Sequence, residues 1–163
     1  MNIELTEIKS KDKSVLQNLF QLYLHDITKD LPMEVTEHGT FEYNEIDEYF
    51  TMPDRYAYFI HVDNKLAGFV MIDNKFMVLE QKENNYDLSE FFILNAYKGK
   101  GIGKTVAFRI FDMYKGTWEV KPVPRSKGVE IFWENVISAY TEGKYNTEFP
   151  KPTRKTFTFN NEK

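Results

Sequence analysis

From Ser14 to Ile27 the apolar side chains Val15, Leu16, Leu19, Phe20, Tyr23 and Ile27 recur at steps of three and four. That spacing gathers them on one face of an amphipathic helix that ends before Pro32. A strand is expected ahead of it, near Ile3–Lys9. A short helix near Glu45–Phe50 is followed by two β-rich runs, Tyr56–Val62 and Leu66–Ile72. Asp63, Asn64 and Lys65 between them are turn residues, so the runs read as a hairpin, and Phe76–Glu80 reads as a further strand. The run Leu88–Leu94 is a strand leading directly into closely spaced glycines, which open a helix whose apolar stripe is Val106, Ala107, Ile110, Phe111 and Tyr114. Gly116 stops that helix before a short strand, Thr117–Val120. After Pro122 and Pro124 a last helix carries Val129, Phe132, Trp133, Val136, Ile137 and Tyr140 on one side. Lys144–Phe149 and the alternating Thr156–Phe159 form a terminal antiparallel pair.

No repeat, low-complexity block or linker interrupts this succession, so a single domain over residues 1–163 is expected. A hydrophobic content of 42% with 14 Phe and 10 Tyr is ample for a core. The absence of cysteine removes thiolate metal sites and a cysteine nucleophile, and His25, His38 and His61 lack the spacing of metal ligands, so no metal is expected. The N-terminus lacks the basic flank and apolar run of a signal peptide, and no stretch is apolar enough to span a bilayer; the expectation is a cytoplasmic chain without membrane contact. A net charge of -4 argues against a nucleic-acid partner.

The loop Lys98-Gly99-Lys100-Gly101-Ile102-Gly103-Lys104-Thr105 carries the chemistry. A strand turning through glycines into a helix offers unpaired backbone N–H groups at the positive end of the helix dipole, a geometry suited to diphosphate. Without a Cβ, phosphate oxygens can reach the backbone, and the lysines at 98, 100 and 104 add positive charge. Gly103-Lys104-Thr105 imitates the end of a P-loop, but that pattern needs glycine at 98, where Lys98 stands; a dinucleotide fingerprint starting at Gly99 needs glycine at 104, where Lys104 stands. A P-loop-like nucleotide binder is therefore the weaker enzyme reading.

The pattern resembles the signature of the Gcn5-related N-acetyltransferase (GNAT) family: Gln or Arg, two residues, Gly, one residue, then Gly or Ala. Lys98 takes the first position, keeping the charge without the guanidinium fork. The preceding Phe91–Tyr97 looks like the family's fourth strand and its bend. A second block, Ser126, Val129 and Phe132-Trp133, is similar in spacing to the family's fourth-helix block of Asn, Ala and an apolar-aromatic pair, with Trp133 where a tyrosine is common. The resemblance implies an α+β fold with a mixed, mostly antiparallel sheet of about six or seven strands and helices on both faces. It implies acetyl transfer from acetyl-CoA to the primary amine of a small molecule or peptide, by a monomer or homodimer. Carried over, the pantetheine and thioester fall to Phe91, Phe92 and Ile93, the pyrophosphate to Lys98 through Thr105, and a further coenzyme contact to Ser126.

The acceptor must attack as a neutral amine, so its proton needs a route out. Glu119 and Glu90 resemble positions where relatives carry a general base, and Tyr140 is a substitute proton donor for the tyrosine that Trp133 replaces, because an indole N–H cannot protonate a thiolate. The plainer alternatives are carboxylates in ion pairs and a core tyrosine. Residues 30–54 hold eight carboxylates and no Lys or Arg. This is either a solvated face or, through residues such as Glu34 and Glu37, an attractor for a cationic amine. A chain that keeps the fold and binds CoA as a sensor, without turnover, is the non-enzyme alternative.

Overall fold

The computed structural model describes all of residues 1–163. The elements run β1 (Ile3–Glu7), α1 (Lys13–Ile27), α2 (Glu48–Thr51), β2 (Tyr56–Val62), β3 (Lys65–Asp73), β4 (Asn85–Ile93), α3 (Ile102–Met113), β5 (Thr117–Val120), α4 (Lys127–Thr141), β6 (Asn146–Lys151) and β7 (Arg154–Asn160). The seven strands form one sheet in the order β1-β2-β3-β4-β5-β7-β6. Every neighbouring pair is antiparallel except β4 and β5, which lie parallel. A parallel pair needs a crossover, and α3 supplies it. The expected α+β fold with a mostly antiparallel sheet is therefore observed, and the P-loop alternative, which calls for a parallel sheet, has no support in it.

The hairpin of β2 and β3 closes through Asp63 and Asn64, both at positive φ (48° and 63°), the backbone of a tight two-residue turn. Helices cover both faces. On one, Leu16, Leu19, Phe20, Tyr23 and Leu24 of α1 pack with Tyr49 of α2 against Phe59, Phe69, Met71 and Phe92. On the other, Val106, Ile110 and Phe111 of α3 and Trp133, Val136 and Ile137 of α4 bury against Val70, Ile72, Leu88, Trp118 and Phe157. Val15, expected on the buried stripe of α1, is instead 38% exposed. Gly68 of β3 lies so close to β4 that a Cβ there would stand 1.9 Å from the Phe92 carbonyl oxygen, which only a glycine permits.

Phe76–Glu80, expected as a strand, is a loop between β3 and β4. Its side-chain pattern suits a strand, but β3 already has β2 and β4 as neighbours. The amides of Met77, Val78 and Leu79 donate to a carboxylate rather than to another strand.

Candidate functional site

The parallel ladder between β4 and β5 has four residue pairs and stops at Leu88 opposite Val120. Two residues on, β5 meets Pro122, which has no N–H to donate and cannot extend a ladder. At the same level β4 bulges: Met71 faces Glu90 and Ile72 faces Leu88, leaving Ser89 without a partner on β3. Such bulges bend a strand and increase its twist. From Ser89 to Ile93, β4 thus keeps β3 on one edge and has no strand on the other. The open edge lines a cavity of about 620 Å³.

The glycine turn lines the same cavity. Gly99 and Gly101 hold φ of 74° and 75°, the left-handed region that glycine enters without steric cost. Gly101 caps α3, whose first turn carries no acidic side chain and receives no side-chain hydrogen bond at its cap. The first-turn amides have no intrahelical acceptor and stand at the positive end of the dipole. A Cβ at Gly99 or Gly101 would meet nothing within 4 Å, so the space over the turn is open. Gly103 serves packing instead, because a Cβ there would come 3.0 Å from the Phe132 ring of α4.

The expected coenzyme contacts mostly converge. Phe91, Phe92, Ile93, Lys98, Gly99, Gly101, Ile102, Gly103, Lys104 and Ser126 all line this cavity. Lys100 and Thr105 do not: Lys100 Nζ donates to the Ala96 carbonyl at 2.9 Å, and the Thr105 hydroxyl donates to the Gly101 carbonyl at 3.2 Å. Lys98 Nζ donates to Asp26 Oδ2 at 2.8 Å, tying the turn to the end of α1. No group of His, Asp or Glu side chains converges in a way that could hold a metal.

Two of the expected proton carriers sit in different surroundings. Glu90 on β4 accepts a hydrogen bond from the Tyr23 hydroxyl of α1 at 2.5 Å, and Tyr23 itself lines the cavity. Burial pushes the Glu90 carboxyl up to about 7; the Tyr23 bond and Arg154 pull it down, while Asp73 and Glu45 push the same way as burial. Glu119 is fully buried, and its oxygens accept from the amides of Met77 (2.7 Å), Val78 (3.0 Å) and Leu79 (2.9 Å). Lys121 Nζ adds bonds to Glu119 at 3.2 Å and Asp87 at 2.6 Å. In register across the sheet, Asp73, Asp87 and Glu119 form a row of carboxylates. Burial raises the Asp87 carboxyl despite Lys121, and Asp73 beside it adds to the rise. Both Glu119 oxygens are engaged in holding the 74–81 loop, and Glu119 is not on the cavity wall.

The chain matches the model of the acetyltransferase (GNAT) family over residues 17–122. The chain belongs to that family. Its fold is similar to the crystal structure of an acetyltransferase from Thermus thermophilus, with 16% identity, a TM-score of 0.68, and 99% of this chain and 98% of that one covered. It is also similar to the PaiA N-acetyltransferase from Thermoplasma acidophilum in complex with coenzyme A, at 15% identity, TM-score 0.65 and coverage of 99% and 100%. A third solved structure of the same fold is the spermidine N-acetyltransferase from Vibrio cholerae in complex with CoA and spermine, at 14% identity, TM-score 0.58 and coverage of 97% and 95%. No curated protein matches the sequence.

Against the GNAT pattern, α4 is the departure. Trp133 occupies the expected place, lining the cavity and packing edge-on to Phe91 and to Phe132 with ring centroids 5.0 Å apart in each case. Tyr140 lies away from the cavity. Its ring packs on Phe108 and Phe111, its hydroxyl donates to Asp112 at 2.9 Å and accepts from Asn161 at 3.2 Å, and it has no part in the cavity wall. Glu34 and Glu37 are exposed and also lie outside the wall; the carboxylates that do line that end are Asp26 and Asp30. Tyr23 was visible in the sequence only as a core position of α1. Its partner lies 67 residues away, a separation that no local pattern reveals.

Proposed function

We propose that residues 1–163 form one acetyltransferase domain that binds acetyl-CoA and transfers the acetyl group to a primary amine. The observation that carries this reading is the presence of two hydrogen-bonding surfaces on one cavity: the strand edge freed beyond Leu88 and the open amides of the glycine turn. Pyrophosphate sits on the amides of Ile102, Gly103 and Lys104, with Lys104 beside it. The pantetheine arm extends along Ser89 to Ile93 as an added strand would, its amides bonding the backbone edge. A backbone N–H from the same edge polarises the thioester carbonyl and stabilises the oxyanion as nitrogen attacks.

Glu90 is the proton acceptor. A carboxyl held near 7 is half ionised at neutral pH, where a base is most effective. The ammonium gives one proton to Glu90, and the neutral amine attacks so that the C–N bond forms and the C–S bond breaks. The nitrogen releases its second proton to water while the CoA thiolate takes one from water, since no α4 hydroxyl reaches it. The acceptor is a cationic amine, drawn in by Asp30, which makes no ion pair, while Asp26 is already engaged with Lys98 and Lys29. The spermine in the Vibrio cholerae neighbour makes polyamines the first acceptors to try.

Trp133 favours one second reading, a CoA-binding sensor without turnover. Thiol release from acetyl-CoA, followed over a panel of polyamines, aminoglycosides and peptide amines, separates the two. CoA formation with any of them supports transfer; tight acetyl-CoA binding with no CoA formed supports the sensor.

A further inference from the structure

Glu90 is not on the cavity wall, whereas Tyr23, bonded to it, is. The tyrosine ring is held from three sides, with Phe20 at 5.3 Å, Phe69 at 5.6 Å and Phe92 at 5.5 Å between centroids. Its hydroxyl points its proton at Glu90 Oε2 from 2.5 Å. A phenol that donates one hydrogen bond retains lone-pair capacity to accept another. Tyr23 lines the cavity, so for a cation that reaches its oxygen the carboxylate lies one hydrogen bond further in.

We propose that the acceptor amine gives up its proton to Glu90 through the hydroxyl of Tyr23. This rests on the reading of Glu90 as the proton acceptor. In the step, one N–H bond of the ammonium breaks as its proton passes to the Tyr23 oxygen. The phenolic O–H bond breaks as that proton passes to Glu90. The balance is an ammonium and a carboxylate becoming an amine and a carboxylic acid, with the tyrosine regenerated. Glu90 returns its proton to solvent after the amide has formed. Concerted passage keeps the phenol neutral, which suits a hydroxyl whose ionisation is strongly opposed by burial and by the charge of Glu90. The other groups facing Glu90 are Tyr43 and Glu45 from the segment before α2, Tyr49 from α2, Asp73 from β3 and Arg154 from β7. None of these lines the cavity.

Tyr23→Phe removes the hydroxyl and keeps the aromatic packing, so it separates proton transfer from folding. In the acetyl-CoA complex, carboxyl-labelled glutamate followed by 13C NMR reports the Glu90 titration without any acceptor. The midpoint lies near 7 in the parent chain and moves upward in Tyr23→Phe, because the lost bond favoured the carboxylate. An unmoved midpoint overturns the proposal. With spermidine, n-butylamine or an N-terminal peptide as acceptor, whichever releases thiol fastest, kcat falls about 10²-fold in Tyr23→Phe with KM little changed. Glu90→Gln falls as far, and the double variant falls no further. Parental kcat in Tyr23→Phe beside an inactive Glu90→Gln overturns the relay alone. Parental kcat in Glu90→Gln overturns the reading beneath it.

Discussion

Leu88 and Val120 are the last residues to face each other across the parallel ladder of β4 and β5. Beyond them the strands part, Pro122 keeps them apart, and the backbone that would have completed the sheet lines the cavity unpaired by any strand. The site is therefore mostly main chain. On the proposed reading, specificity for an extended amide-bearing arm follows from strand geometry, and affinity for diphosphate from the helix end.

Gly101 is the position where a single substitution tests the turn. Its φ of 75° costs a residue with a Cβ about 1–2 kcal/mol. Gly101→Ala should lower acetyl-CoA affinity by about tenfold in titration calorimetry while leaving the circular dichroism spectrum unchanged.

Glu90 should make activity and stability respond oppositely to pH. Its carboxyl is held at about 7 in the folded chain against an ordinary 4.5, so the folded state keeps a proton that the unfolded chain releases. The stability tied to this group is fully present below 4.5 and is lost as pH rises towards 7; Asp87, also raised, acts in the same direction. The carboxylate needed for proton acceptance forms over the upper part of that range, so kcat/KM should climb through about 7. Glu90→Gln should flatten the stability profile and raise Tm at pH 8, measured by scanning calorimetry, while activity falls.

Glu119 should behave as a structural residue. Glu119→Gln leaves Lys121 with one fewer charge partner in a buried network and disturbs the amides of Met77, Val78 and Leu79. A loss of about 3–5 kcal/mol is expected, seen as a lower midpoint in urea unfolding. At a temperature where the variant remains folded, the shape of its pH–rate profile should match the parent's, which a lost general base would not allow.

Much of this architecture was legible in the chain because it is written in local periodicity. The three- and four-residue steps of α1, α3 and α4, the Asp63-Asn64 turn and the Gly99-Gly101 spacing each reflect a local backbone requirement. What escaped depends on contacts between distant segments. Phe76–Leu79 is an apolar run of the kind a buried strand carries, yet the amides of this segment serve a carboxylate more than forty positions from Met77. Tyr140 fits the apolar stripe of α4, but the helix turns it towards Phe111 and Asp112 and away from the cavity. Tyr23 reads as an ordinary buried position, since nothing near it signals Glu90. The charge of residues 30–54 singles out Glu34 and Glu37, whereas the carboxylates on the wall are Asp30, the first residue of that segment, and Asp26, which lies before it in α1.

Tyr140→Phe should confirm which side of α4 matters. It removes the bonds to Asp112 and Asn161 and should cost about 1 kcal/mol of stability with kcat unchanged in the thiol-release assay.

A crystal structure with CoA tests the central claim most directly. The account predicts pyrophosphate oxygens within hydrogen-bonding distance of the amides of Ile102, Gly103 and Lys104, and the pantetheine arm lying along Ser89 to Ile93. CoA bound elsewhere, with the glycine turn vacant, would contradict it.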